Sequence, residues 1–278
     1  MLDAAQAARR PPLLNAQSAV SLAAALWFTA AFAGQMIFAI YIAAFYGGAA
    51  LQGNLEAWNA RLIIGLVDGD QAGNAALGVH LLLAGVITVC GPLQFIPEIR
   101  RRAIRFHRWN GRFYITAALV ISVGAAWMII TRGAGGFDAT AILVNAALIA
   151  ACAAMTLRCV LAGKMDAHRR WALRTFLLVS GVWFLRIGYA FLGILFQGRP
   201  PGVSDGLDGP TDVALAYLSF ILPLGLLQLY FLSRDQVGAA GKYAMAGLLV
   251  LATIATGLGV LGMTLGAWGP QIFNSLGA

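Results

Sequence analysis

The residues of this chain best equipped for chemistry are few. It has only three histidines, His80, His107 and His168. Two of them open matching entrances to apolar runs, His107-Arg108-Trp109 and His168-Arg169-Arg170-Trp171. Two histidines from different helices at one depth suit axial ligation of a haem iron, here a haem b, with Arg108, Arg112, Arg169 and Arg174 placed to pair its propionates. The same cluster suits a quinone or an anionic headgroup, and plain basic anchoring at the interface fits it too. A bare divalent cation fits poorly, because the surrounding charge is positive and carboxylates are scarce. With three histidines, two bis-histidine haems are excluded.

His80 belongs elsewhere. It lies five residues into an apolar run that starts at Ala75, roughly 8 Å along a helix at 1.5 Å per residue. An ionisable group inside a membrane span is costly and points to function by default. Arg186 is a second such group, 14 residues into the run from Ala172, and Asn145 enters another run at similar depth. The three are expected to form one polar pocket below the outer surface. The competing expectation is that Arg186 snorkels or bonds free carbonyls while His80 bonds nearby backbone. His80, Ile87 and Gln94 recur every seven residues and share a helix face, with Gly91-Pro92 loosening the helix between them. Cys152, Met155 and Cys159 share another face; their sulfurs suit Cu(I), and equally ordinary packing. The chain has no P-loop, G-x-S-x-G, H-E-x-x-H or C-x-x-C pattern.

The elements that must position these groups are membrane spans. Hydrophobic residues make up 60% of the 278 and charged residues 11%, against about 25% charged in a soluble domain. Mean hydropathy is +0.79. Seven runs reach the ~20 residues that cross a hydrocarbon core: Val20–Tyr46, Ala75–Ile96, Phe113–Thr131, Ala139–Ala162, Ala172–Phe196, Val213–Leu232 and Tyr243–Ala267. The first is too long for a signal h-region and has no clear cleavage site, so it reads as an uncleaved span. The net charge of +8 reflects topology rather than nucleic-acid binding. Arg9, Arg10, Arg100, Arg101, Arg102, Arg105, Arg108, Arg112, Lys164, Arg169, Arg170, Arg174, Arg234 and Lys242 fall on one side of the alternating connections, and most aspartates on the other. By the positive-inside rule the chain is N-in and C-out, one integral membrane domain over 1–278.

Within the first outer connection, Leu51, Leu55, Trp58, Leu62 and Leu66 recur at helical spacing behind Asn54, which predicts a short amphipathic helix on the outer membrane surface. Gly198–Asp212 reads as a mobile, turn-rich segment. Gly262 and Gly266 form a small-residue step for close helix packing, within the chain or between copies. The three cysteines all lie in apolar runs, so a disulfide framework is not expected.

His80, Gly91-Pro92-Leu93-Gln94-Phe95, Arg100, His107-Arg108, Gly111-Arg112 and Tyr114, followed by His168-Arg169-Arg170-Trp171, Arg174 and Arg186, resemble the uncharacterised bacterial membrane-protein family catalogued as domain-of-unknown-function family 2306. The signature region spans about 75–190. The resemblance implies a multi-pass protein of the bacterial inner (plasma) membrane and brings no activity. That family often carries polar and acidic residues in the next span, where Val213–Leu232 is nearly all apolar. Three functions remain open: a haem- or quinone-binding redox membrane protein, a small-molecule or ion transporter using the His80–Arg186 pocket, or an accessory subunit of a membrane complex. The expected partners are the bilayer, an anionic lipid or hydrophobic small molecule, and another membrane subunit.

Overall fold

The computed structural model describes residues 15–62, 64–136 and 138–277. Arg9 and Arg10 lie outside them. Every regular element among the described residues is helical. Helix α1 (Ala16–Tyr41) runs through a π-helical turn (Ile42–Gly47) into α2 (Gly48–Leu51). After a 3₁₀ turn (Leu55–Ala60) come α3 (Gln71–Leu93), α4 (Pro97–Arg102), α5 (Ile104–Arg132) and α6 (Ala139–Leu161). Then follow α7 (Met165–Val179), α8 (Gly181–Leu195), α9 (Pro210–Asp235) and α10 (Ala239–Met263). A second π-helical turn (Thr264–Trp268) leads into α11 (Gly269–Gly277).

Six helical stretches are long and apolar enough to cross a membrane, and the bent pair α7–α8 makes a seventh crossing if counted as one span. Side-chain caps start three of them. Asn15, Asp70 and Asp138 accept from the N–H groups of Ser18, Gly73 and Ala141 at 2.8, 2.9 and 2.7 Å, satisfying donors that a helix N-terminus leaves free. Helix α5 starts nine residues before the expected span boundary. At 29 residues it is ~44 Å long, so its first turns, with Arg105, His107 and Arg108, project beyond a ~30 Å hydrocarbon core.

The bundle is a closed ring. Helix α1 packs between α3 and α10, α3 on α5, α5 on α6 and α6 on α7; α8 returns to α10, and α9 packs against α6, α7, α8 and α10. Between helices in lipid the hydrophobic drive is absent, so close backbone approach matters more. A Cβ on Gly259 would sit 2.4 Å from the Ile187 carbonyl oxygen, and one on Gly34 would sit 2.8 Å from the Trp183 ring. Gly262 faces Ala190 and Ile194 of α8, whereas Gly266 meets nothing. The small-residue step is therefore used within the chain at Gly262.

Two expectations about loops are corrected. Residues 51–66 form no continuous amphipathic helix: α2 ends at Leu51, only Leu55–Ala60 is helical, as a 3₁₀ turn, and the Asn54 side chain caps nothing. Trp58 is instead pulled into the bundle, donating its indole N–H to the Tyr46 carbonyl at 3.0 Å. Leu62 and Leu66 pack beside it, while Leu51 stays exposed. Trp58, Leu62 and Leu66 share a side without sharing a helix. The segment 198–212 is densely tied down. Asp212 is buried and accepts from the Tyr189 hydroxyl at 2.6 Å and from the N–H groups of Ser204 and Gly209 at 2.9 and 3.1 Å. Arg199 bonds Asp205 at 2.8 Å.

Candidate functional site: a central cavity around a broken helix

The bent pair α7–α8 breaks at Ser180, where the two helices meet at 55°. A break in a span frees backbone groups that lipid cannot satisfy. Here polar side chains gather at the break, and one of them, Asn145 from α6, meets a backbone carbonyl. The Ser180 hydroxyl donates to the Phe176 carbonyl at 2.9 Å and accepts from the Gln35 amide of α1 at 2.9 Å. Asn145 of α6 donates its amide to the Leu178 carbonyl at 3.3 Å. Gly181 allows this approach, since a Cβ there would lie 3.0 Å from the Asn145 nitrogen. Both amides are fixed in orientation, because each must present N–H to an acceptor at the break.

The break opens onto a cavity of about 510 Å³ bounded by α1, α3, α5, α6, α7, α8 and α9 and reaching the connections near Arg61 and Arg132. Its wall is mainly apolar, with Leu77, Leu81, Ile87, Ile121, Ile149 and Phe220 among its residues. His80, Arg186 and Asn145 all line it. Helix α3 starts at Gln71 rather than Ala75, so His80 lies nine residues along it, ~14 Å from its start. Several buried polar atoms on this wall have no hydrogen-bond partner: Nδ1 of His80, Nε of Arg186, Oδ1 of Asn145, Oε1 of Gln35 and Nε1 of Trp183. The Tyr46 hydroxyl approaches Tyr41 without reaching hydrogen-bond geometry, and it lies within electrostatic reach of Arg186 and Arg61. Buried polar groups are normally bonded, and these atoms face the cavity without a protein partner among the described residues.

Among the described residues Arg186 bonds no carbonyl and pairs with no acid. Its one contact of note is the Phe38 ring, 5.6 Å from the guanidinium carbon. It also lines a second, smaller cavity of about 380 Å³ with Arg61, Tyr41, Trp268 and Gln271. The two π-helical turns flank this place. Ile42 and Tyr46 of the first line the large cavity, and Ala267 and Trp268 of the second line the small one. Trp268 packs on Phe38 at 5.1 Å and on Tyr41 at 6.4 Å. Such π-turns occur often at functional sites.

Arg132, at the mouth of the large cavity, is the contrast. It holds Asp70 at 2.6 Å, Asn74 at 2.7 Å and the Gly65 carbonyl at 3.3 Å. The Gly73 N–H, and then Arg132, hold the Asp70 carboxyl below its ordinary range.

His107 and His168 lie apart from both cavities, near enough to sense each other's charge. His168 Nδ1 is 3.1 Å from the Thr156 carbonyl, while His107 Nδ1 is buried without a partner. The surrounding arginines have protein partners. Arg169 pairs with Asp166 at 3.2 Å, Arg112 stacks on Trp109, and Arg174 bonds Gln228 at 3.0 Å while lying over Trp171 and Phe231. Arg108 is exposed. Gln94 leaves the His80–Ile87 face at the cavity and sits against Gly111.

Sequence reasoning passed over Gln35 and the Ser180 break. Each had a faint signal, a lone glutamine in the first apolar run and a Ser-Gly step within the fifth. The sequence marks Tyr46 only as the end of the first apolar run and gives no signal at Arg61.

No curated protein and no solved structure matches the chain. The family model described as predicted membrane protein, DUF2306, matches residues 77–203. That interval runs from the start of the His80 wall through both halves of the broken helix. The matched stretch holds His80, Asn145, the Ser180 break and Arg186.

Proposed function

We propose that the protein is a multi-pass transporter of the bacterial inner membrane, with the central cavity as its substrate site. One observation carries this reading. Where the α7–α8 pair breaks at the cavity, Asn145 meets the Leu178 carbonyl and Gln35 bonds the Ser180 hydroxyl, while polar atoms of His80, Arg186, Asn145 and Gln35 face the space without partners among the described residues. Discontinuous helices around a central site are a recurrent plan of secondary transporters. The arginine-rich ends of α4, α5 and α7, with Arg234 of α9 and Lys242 of α10, face the cytoplasm by the positive-inside rule, so the cavity reaches toward the outer loops. The His107–His168 cluster offers less to a cofactor, because most arginines beside it are already engaged by protein groups.

The test is access. In a background lacking Cys90, Cys152 and Cys159, a Ser219→Cys variant on the cavity wall is treated with a membrane-impermeant maleimide from either side of oriented vesicles. A carrier predicts labelling from both sides, blocked by Ala84→Trp across the cavity. Labelling from the outer side alone would reduce the protein to a binding cavity, and labelling from neither side would remove the reading.

A further inference from the structure

We infer that the central cavity takes an amphipathic organic monoanion, with its acidic head on Arg186 and its apolar body along the α3–α5–α6 wall. This rests on the cavity being the ligand site proposed above and names the class of ligand.

The charge balance is the first argument. The ionisable groups on the two cavity walls are Arg61, Arg132, Arg186, His80 and tyrosines; no carboxylate lines either cavity among the described residues. Arg132 is neutralised by Asp70 at 2.6 Å. Arg61 is exposed at the loop, where water screens its charge. Asp212, which sits behind the wall, gives its oxygens to Tyr189, Ser204 and Gly209. Arg186 is half-buried, has no hydrogen bond and no ion pair among the described residues, and holds its Nε buried without a partner. A charge with little access to water and no partner is costly, and a bound anion would relieve that cost.

Shape is the second argument. At about 510 Å³ the cavity lies within the ~300–1,000 Å³ typical of small-molecule sites and is too small for a whole diacyl lipid. Leu77, Leu81, Ile87, Ile121 and Ile149 offer no hydrogen bonds, so a bare inorganic ion would leave most of the wall unused. A carboxylate or monoanionic phosphate ester with a single apolar body matches both halves. Tyr46 is placed to donate to the same head, and the fixed carbonyl oxygens of Gln35 and Asn145 suit an additional donor group on the ligand.

The test uses purified full-length protein in nanodiscs with octanoate, 1-octanol and octylammonium as probes and chloride varied from low to high. Octanoate is expected to raise Tm saturably, 1-octanol to bind at least tenfold more weakly, and octylammonium not at all. Arg186→Gln is expected to cost octanoate at least tenfold while leaving octanol unchanged, and Arg186→Lys to retain most of the binding. Octanol binding as well as octanoate, both lost in Ala84→Trp, would overturn the anionic ligand and leave the cavity standing. Full competition by chloride alone would overturn the amphipathic ligand in favour of an inorganic anion. No response to any probe, together with an unlabelled Ser219→Cys, would overturn the cavity itself. The three wild-type probes decide the question even if an Arg186 variant fails to fold.

Discussion

Arg132 and Arg186 line one cavity and are treated in opposite ways. Arg132 is clamped by an aspartate, an asparagine and a backbone carbonyl, and through them it fastens the 65–74 segment to the end of α5. Arg186 faces a phenylalanine ring and empty volume. The first arrangement is what a structural arginine looks like in a membrane protein, with donors matched to fixed acceptors. The second leaves a charge exposed to the cavity and uncompensated, a state that folding alone gives no reason to keep. Stability and function often pull against each other in this way at binding sites.

That contrast is easiest to break through stability. Arg132→Gln unpairs Asp70 and releases three hydrogen bonds, and the ligand-free Tm is expected to fall by on the order of 5 °C. Arg186→Gln removes an unpaired charge, and its ligand-free Tm is expected to stay level or rise. A fall equal to that of Arg132→Gln in a thermal melt would erase the distinction. The break at Ser180 comes next in size. Asn145→Leu leaves the Leu178 carbonyl without its donor and should cost about 1–2 kcal/mol in denaturant unfolding, with Gln35→Leu close behind. If neither destabilises, those amides serve the ligand rather than the bend.

A pH series sharpens the Arg132 side. Because the Asp70 carboxyl is held below its ordinary value of 3.8, its contribution is fully present above that pH and is lost as pH falls through the lowered value. The Tm gap between wild type and Asp70→Asn should therefore be constant from neutral pH down to about 3.8 and close only below it. A gap that closes near neutrality would place the titration on another group. The smallest effects belong to the basic end. His107→Ala and His168→Ala are expected to leave octanoate binding unchanged, and a Soret band that disappears in either variant would move the functional centre there.

Much of this was legible in the chain, for particular reasons. The spans were readable because a ~30 Å core demands long apolar runs, and His80, Asn145 and Arg186 stood out because polar groups in such runs are expensive. Their gathering on one cavity depends on the order in which helices pack, which no local pattern carries. The bend at Ser180 was hidden because Val179 and Val182 continue the apolar run, and only partners far along the chain, Gln35 and Asn145, make a break there tolerable. The region after Leu51 misled for a related reason. Its leucines kept helical spacing, but Trp58 found a carbonyl at Tyr46 and the chain folded inward to reach it.

The central claim is that Arg186 is kept for an anion rather than for the fold. Octanoate affinity and ligand-free Tm, measured side by side on wild type and Arg186→Gln in nanodiscs, address it most directly. The account predicts affinity at least tenfold weaker with Tm unchanged or higher. Unchanged affinity with a lower Tm would make Arg186 a structural residue and contradict it.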